Sequence, residues 1–487
     1  MRRLGHLGLI AHDMGVIFEI LGAATMLVFL VLFIYSEWSM IIPMASVPIT
    51  FLLLGYIISR VPRKEFEPRL SIALVGVALT WLAIAFVGAL PFFLGMHMSI
   101  TDSVFEAMSG WTGTGFSVMT SLNTTPHVIL FWRSFMQWIG GIGVVAFGIT
   151  MLSRSSLIQF RLYRSEGRSE ALMPSIVSTG RRMWGIYIAL TAGFTAMILI
   201  TGIPLWDALN IVMTTIATGG FSLHDAGISF YQNSLLEGLL LPVMLAGAVP
   251  FKLYFFFFSR GRIEMFWKEP TVRLLLALAL SGSLVVSFNL FMFNEYPLTE
   301  AVRQGFFCTI SGLTCCGLQN SSMNWGPIPV IVIIFLMMIG GASGSTSGGI
   351  KLNRIILGFE GLLWWFKRFF VSSKVLVPFK HNGRNIPKKI SELELSKNML
   401  IIVLWVLMIF LATVISLHIA PASTPTQLTI FDLVSAASNV GLGSGYFTPA
   451  APIQIKWLFI FVMWIGRLEI VPVLILWMSI IRGFEAV

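Results

Sequence analysis

Ten long apolar runs dominate the chain, near residues 16–35, 40–59, 70–94, 127–152, 184–203, 234–258, 272–293, 327–366, 398–419 and 453–481. A helix needs about 20 consecutive apolar residues to cross the hydrocarbon of a bilayer. The runs are continuous rather than alternating, so membrane-spanning strands are excluded. Composition agrees, since 56% of the 487 residues are hydrophobic and only 11% are charged. Soluble domains carry about 25% charge, and no soluble surface covers this much apolar side chain. A soluble enzyme and a disordered chain are both excluded. Three cysteines exclude a disulfide scaffold. The first run follows Arg2 and Arg3 but is too long for a signal peptide and lacks a small-residue cleavage site, so it is expected to stay.

Basic residues predict the orientation. The loops 1–15, 59–69, 153–183, 259–273 and 367–397 hold most of the 32 Lys and Arg, while the alternate loops hold only Arg303. The positive-inside rule places both termini in the cytoplasm and the chain, multi-pass, in the plasma membrane. This asymmetry, with contact to anionic membrane lipid, accounts for the net charge of +10 without any nucleic acid. The opposite loops carry Asp102, Glu106, Asp207, Asp225, Glu295, Glu300 and Asp432. A rim of carboxylates there would raise the local cation concentration.

A fourfold internal repeat runs through the chain. Four half-length apolar segments, each between two full spans, end in Trp111-Thr112-Gly113-Thr114-Gly115-Phe116, Ala217-Thr218-Gly219-Gly220-Phe221, Thr314-Cys315-Cys316-Gly317-Leu318 and Ser438-Asn439-Val440-Gly441-Leu442. Upstream, Phe105, Asn210, Phe307 and Phe431 share one register, and Glu106 and Asp432 follow the first and last. Downstream stand four tetrads, Trp138-Ile139-Gly140-Gly141, Met244-Leu245-Ala246-Gly247, Met338-Ile339-Gly340-Gly341 and Trp464-Ile465-Gly466-Arg467. The fold expected is an all-α polytopic membrane protein. It has ten transmembrane helices plus four re-entrant pore helices, in four span–pore-loop–span pseudo-repeats around one pore. Residues 1–69 add two N-terminal helices, and the repeats cover 70–183, 184–271, 272–397 and 398–487.

Non-helical backbone at membrane depth must be buried by protein or line a water-filled cavity. Four Gly-bearing loops around one axis would offer rings of carbonyl oxygens that replace the hydration shell of an alkali cation. Glycine permits the backbone conformations such loops require. Each short helix would aim its negative C-terminal end at the ion. Small-residue contacts between helices are the competing explanation for isolated glycines, but not for four copies in register.

These motifs resemble the Trk/Ktr/HKT superfamily of potassium transporters, and within it the TrkH-type pore subunit. The match is carried by Arg133-Ser-Phe-Met-Gln137-Trp-Ile-Gly-Gly-Ile-Gly143, by Gly340-Gly-Ala-Ser-Gly-Ser-Thr-Ser-Gly-Gly-Ile-Lys351 and by Ile465-Gly-Arg467-Leu-Glu469. The resemblance spans essentially the whole chain. It implies K⁺ as the transported ion, one pore per subunit, a homodimer and a cytosolic nucleotide-binding regulatory ring of the TrkA type. The candidate K⁺ filter comprises Thr112, Gly113, Thr114 and Gly115; Ala217, Thr218, Gly219 and Gly220; Thr314, Cys315, Cys316 and Gly317; and Ser438, Asn439, Val440 and Gly441. The family's filters are rich in Thr, so Cys315-Cys316 and Asn439-Val440 depart from the pattern, but backbone carbonyls survive such changes.

The stretch 341–349 breaks the third repeat's second span and is the candidate gating loop. A helix there would lose about 1 kcal/mol per glycine relative to Ala. Gly340, Gly341, Ser343, Gly344, Ser345, Thr346, Ser347, Gly348, Gly349, Lys351 and Arg467 are the candidate gate residues. Arg467 stands where the other tetrads carry Gly, and an intramembrane arginine is expensive and usually functional. It is expected either to latch the loop closed, to set the barrier to cations, or to form a structural pair. Lys252 is expected only to snorkel.

Other motifs fail. Gly344-Ser-Thr-Ser-Gly-Gly349-Ile-Lys351 mimics a phosphate loop but lacks the Gly-Lys-Ser/Thr ending and a preceding strand. Cys308, Cys315 and Cys316 have no clustered histidines for zinc. No catalytic constellation is present, so the chain is not expected to be an enzyme, and no organic cofactor is expected. Three readings remain: a K⁺-selective pore, a non-selective or Na⁺-permeable cation transporter, and a secondary transporter of an organic solute.

Overall fold

The computed structural model describes residues 2–61, 70–143, 176–323, 325–372, 377–381, 384–421 and 424–483. The basic stretch 153–183 and much of 59–69 therefore fall largely outside the described residues.

The fold is helical and polytopic. Two N-terminal helices, Arg2–Thr25 and Ile41–Ser59, pack closely, because Gly15 faces the Ser59 backbone and Gly55 faces Glu19. Four units of similar plan follow. Their first spans are Leu70–Gly88, Ile176–Leu199, Pro270–Phe293 and Lys388–Ile419. Their short helices are Ile100–Thr112, Leu205–Ile216, Leu298–Leu313 and Thr426–Ala437. These have 13, 12, 16 and 12 residues. At 1.5 Å per residue they reach roughly 18–24 Å, less than a bilayer's hydrocarbon core.

Local sequence sets where the short helices begin. Ser99 caps the first, its Oγ accepting from Asp102 N at 3.1 Å. Pro204, Pro297 and Pro425 hold the cap position of the other three. Pro126 and Pro452 do the same for the second spans His127–Ile142 and Ile453–Leu468. Proline suits that position because it resists helix on its N-terminal side and lacks only a donor that would be orphaned there anyway.

The second spans differ from the sequence expectation. A break in 327–366 was expected, and Pro327–Ile339 indeed ends at Gly340. The runs 234–258 and 453–481 were expected to be continuous, yet both bend. Ser234–Ala248 meets Phe251–Arg260 at 99°, and Ile453–Leu468 meets Val471–Arg482 at 110°. The cause is local. Val249 is extended, and Pro250 then starts the next helix. Glu469 and Ile470 both adopt positive φ, at 62° and 66°. The first unit's helix also stops at Ile142, with Gly143 at φ 100°. Three second spans thus end one residue past their tetrads, and the third ends inside its own, at Ile339. Among the described residues six helices are long and apolar enough to cross a membrane, or eight if each bent pair counts as one. The region 367–397 also holds a two-stranded hairpin, Phe379–His381 with Arg384–Ile386, before the last long helix starts at Lys388.

Candidate functional site

The four loop tetrads adopt one backbone conformation. Their second and fourth residues all have positive φ: Gly113 68° and Gly115 93°, Thr218 53° and Gly220 75°, Cys315 58° and Gly317 78°, Asn439 52° and Gly441 85°. The second residue donates to a carbonyl three residues back: Gly113 to Gly110, Thr218 to Thr215, Cys315 to Gly312 and Asn439 to Ala436, at 3.0–3.2 Å. The third donates five back: Thr114 to Ser109, Gly219 to Thr214, Cys316 to Ser311 and Val440 to Ser435, at 2.8–2.9 Å. This is the Schellman closure of a helix, made four times. It satisfies the last carbonyls of each short helix while turning the chain back. A left-handed non-glycine costs roughly 1–2 kcal/mol, so Thr218, Cys315 and Asn439 are held there by these bonds and by tight packing.

The loops close into a ring in chain order. A Cβ on Gly115 would strike Gly219 O, one on Gly220 would strike Cys316 O, one on Gly317 would strike Val440 O, and one on Gly441 would strike Thr114 O. Each unit's last glycine therefore packs on the next unit's third carbonyl, and the fourth returns to the first. The side chains lie in the seams. Asn439 Nδ2 donates to Thr114 Oγ1 at 2.9 Å, and Cys316 Sγ points at Thr215 O at 3.9 Å. Thr112 and Thr114 hydroxyls bond each other at 2.7 Å.

The 341–349 segment sits against the deep ends of the short helices. Thr346 Oγ1 lies 3.0 Å from Ile216 O and 2.9 Å from Gly247 O, and Thr218 Oγ1 donates to it at 3.3 Å. Gly348 packs on Ser438 O. The Cys315 thiol lies beside the backbone of Gly341 and Gly348. The segment is bonded across the break of the second unit by Ala342 N to Ala248 O and Phe251 N to Gly344 O, both 3.0 Å. It folds back on its own helix through Ile350 N to Met338 O at 2.9 Å and Lys351 N to Ile339 O at 2.8 Å. Ser345 bonds Ala342 O and the Ser347 hydroxyl, Ser343 N donates to Asn353 Oδ1 at 2.8 Å, and Gly349 abuts Gly340.

Arg467 reaches this segment. Its Nη1 donates to Thr346 O at 3.1 Å, and its Nη2 donates to the carbonyls of Gly140 and Gly141. Its guanidinium lies 5.5 Å from the Trp81 ring centre. Glu469 turns elsewhere, to Arg354 and, at 3.8 Å, to Lys351. Lys351 also donates to Ser347 O at 3.4 Å. The second tetrad's register slips by one. Gly247, not Ala246, packs on the carbonyl preceding the loop, as Gly140 and Gly466 do in their units.

The model of the TrkH family, described as cation transport protein, matches residues 44–482. The chain belongs to the TrkH family. An uncharacterized cation transporter of Methanocaldococcus jannaschii is 31% identical over 97% of this chain and 95% of its own. The Trk system potassium uptake protein TrkH of Salmonella typhimurium is 30% identical over 82% of this chain and 83% of its own. The crystal structure of the potassium transporter TrkH from Vibrio parahaemolyticus aligns with a TM-score of 0.83 at 26% identity, covering 96% of this chain and 97% of that one. This TrkH-family chain is therefore a multi-pass membrane transport protein and not an enzyme.

Two sequence expectations for the TrkH-family chain need correction. Glu106 and Asp432 do not form part of a carboxylate rim, since both side chains are fully buried. Asp432 accepts from Ser444 N and Phe447 N, both at 2.7 Å. Glu106 accepts from Val118 N at 3.0 Å and from Arg133 Nε at 2.8 Å. Asp102 is paired with Lys456, and Asp225 accepts from Leu122 N. Lys252 does not merely snorkel, because it lies 3.4 Å from Glu269. Sequence reasoning also missed Gln137, Gln319 and Trp81 as site residues. Gln137 bonds Gly219 O and Phe221 N at 2.7 and 3.1 Å. Gln319 bonds Gly443 O and N at 3.0 and 3.5 Å. An amide inside or beside an apolar run was the available signal.

Proposed function

We propose that the chain takes up K⁺ across the plasma membrane through a channel-like pore, with the four loop tetrads as its filter. The observation that carries this is the closed ring of four loops with matched left-handed positions. Alternating hand along each loop brings successive carbonyls toward one face, which an extended strand does not do. Four such faces around an axis supply the oxygens that replace an ion's hydration shell. The four short helices direct their negative ends at the same point. Relatives named for potassium uptake support K⁺ as the ion.

The segment 341–349 acts as the gate in this reading. It lies across the deep end of the ring, and Arg467 holds it there while placing positive charge beside the path. The chain works as a homodimer with one pore per subunit. A cytosolic nucleotide-binding ring of the TrkA type docks on the basic stretches 153–183 and 367–397 and releases the gate. Membrane lipid contacts the same basic face.

The test is uptake of radiolabelled Rb⁺ into liposomes containing the purified protein, with K⁺, Na⁺ and choline as competitors. K⁺ should inhibit well beyond Na⁺, and choline should not inhibit. Equal inhibition by Na⁺ would replace the K⁺ filter with a relaxed monovalent-cation pore. Absence of uptake, in the wild type and in Arg467→Ala alike, would contradict the pore.

A further inference from the structure

The four pore helices carry Glu106, Ile211, Cys308 and Asp432 at one register. In three units this residue holds the chain that leaves the filter. Glu106 accepts from Val118 N and the Ser117 hydroxyl, Cys308 Sγ approaches Asn320 Oδ1 at 3.3 Å, and Asp432 accepts from Ser444 N and Phe447 N. Ile211 has no polar side-chain atom to do this, so at this register the second helix gives its loop no brace.

The first unit's second span supplies it. Arg133 donates Nη1 to Ser222 O at 2.8 Å, and its guanidinium lies 4.0 Å from the Phe221 ring centre. The same side chain donates Nε to Glu106 at 2.8 Å and Nη2 to Ser117 Oγ at 3.1 Å. One guanidinium therefore grips the outgoing strands of the first and second loops at once. Arg133 is 1% exposed and Glu106 is fully buried. Of the other seams, two carry ion pairs near the starts of their helices, Arg303 with Glu237 at 3.4 Å and Lys456 with Asp102 at 2.6 Å; beside the loops they use the Cys316 thiol, the Gln319 amide and the Asn439 amide. The Arg133–Glu106 pair is neutral as a unit, so it adds no net barrier to a cation.

We infer that Arg133, held by Glu106, is a specificity-determining positioning residue that fixes the spacing between the first and second filter loops. This rests on the reading of the loops as a K⁺ filter. A planar fork with fixed donor directions sets distance more tightly than a flexible ammonium. An ion ring discriminates K⁺ from Na⁺ only while its oxygens keep their number and spacing.

The test compares the wild type with Arg133→Lys and with the double variant Arg133→Met/Glu106→Leu. Lysine keeps the charge pair and loses the fork. The double variant removes both charges, which avoids leaving one buried and unpaired. Each is assayed for thermal stability and for the ratio of K⁺ to Na⁺ concentrations that half-inhibit Rb⁺ uptake. The expected result is continued Rb⁺ uptake with that ratio moved toward Na⁺ by roughly tenfold, the lower end of what loss of an outer partner costs a bound metal ion. A folded variant of either kind with the wild-type ratio would overturn the inference and leave Arg133 a structural brace. A wild type that admits Na⁺ as readily as K⁺ would instead overturn the filter reading beneath it.

Discussion

Single residues decide whether four loops can form one ring. Gly317 has φ 78° and its hydrogens face Val440 O of the next loop. A methyl group there meets a backbone carbonyl, which cannot rotate away. Gly317→Ala therefore costs roughly 1–2 kcal/mol in backbone strain alone and pushes two loops apart. Uptake of Rb⁺ should fall by roughly a hundredfold, the scale set by a displacement of about 1 Å in a preorganised site. Detergent stability should fall only by about this strain, since the outer packing is untouched, so the loss of uptake should far exceed the loss of folded protein. Wild-type uptake by Gly317→Ala would mean that the ring has slack at this contact. The glycines of these loops were legible from spacing alone. The residues that hold the loops were not. Glu106 and Asp432 read as rim acids because sequence shows charge without depth. Both are buried and spend their oxygens on backbone N–H groups.

Elements explain why the breaks fall where they do. The glycine-serine run announced the break at Gly340, because five glycines cannot support a helix against Ala-like neighbours. The bends at 249–250 and 469–470 carried no such run. One rests on Pro250 and the other on Glu469 and Ile470 in left-handed backbone, a conformation that tertiary bonds impose rather than propensity. The broken ends meet in one place. The segment 341–349 bonds the second unit's break, and Arg467 from the fourth joins it to Gly140 and Gly141 of the first. Arg467→Ala removes these donors while leaving the pore loops intact. A closed state weakened by 1–3 kcal/mol loses population roughly 5- to 150-fold. Basal Rb⁺ uptake without any partner protein should rise accordingly. Unchanged uptake and unchanged regulation would show that Arg467 only ties helices together.

The whole molecule is a ring built from one repeated unit that has diverged at its seams. Repetition made the architecture readable, since the same helix–loop–helix plan recurs with Gly in register. Divergence is where function separates the units: the third has the glycine-serine loop, the fourth has an arginine in its tetrad, and the first has an arginine, Arg133, that bonds both its own outgoing strand and its neighbour's. A secondary transporter would bind its solute at a midplane site between two halves. A channel-like pore binds its ion on the axis of the four loops. The two accounts place the ion differently, so locating it separates them. The most direct measurement is anomalous diffraction, or its equivalent in difference density, from crystals of the protein soaked in Rb⁺ or Tl⁺. The pore account predicts ion density on the ring axis, equidistant from the tetrads that end in Gly115, Gly220, Gly317 and Gly441. Ion density confined to a pocket away from that axis, with the ring empty, would contradict it.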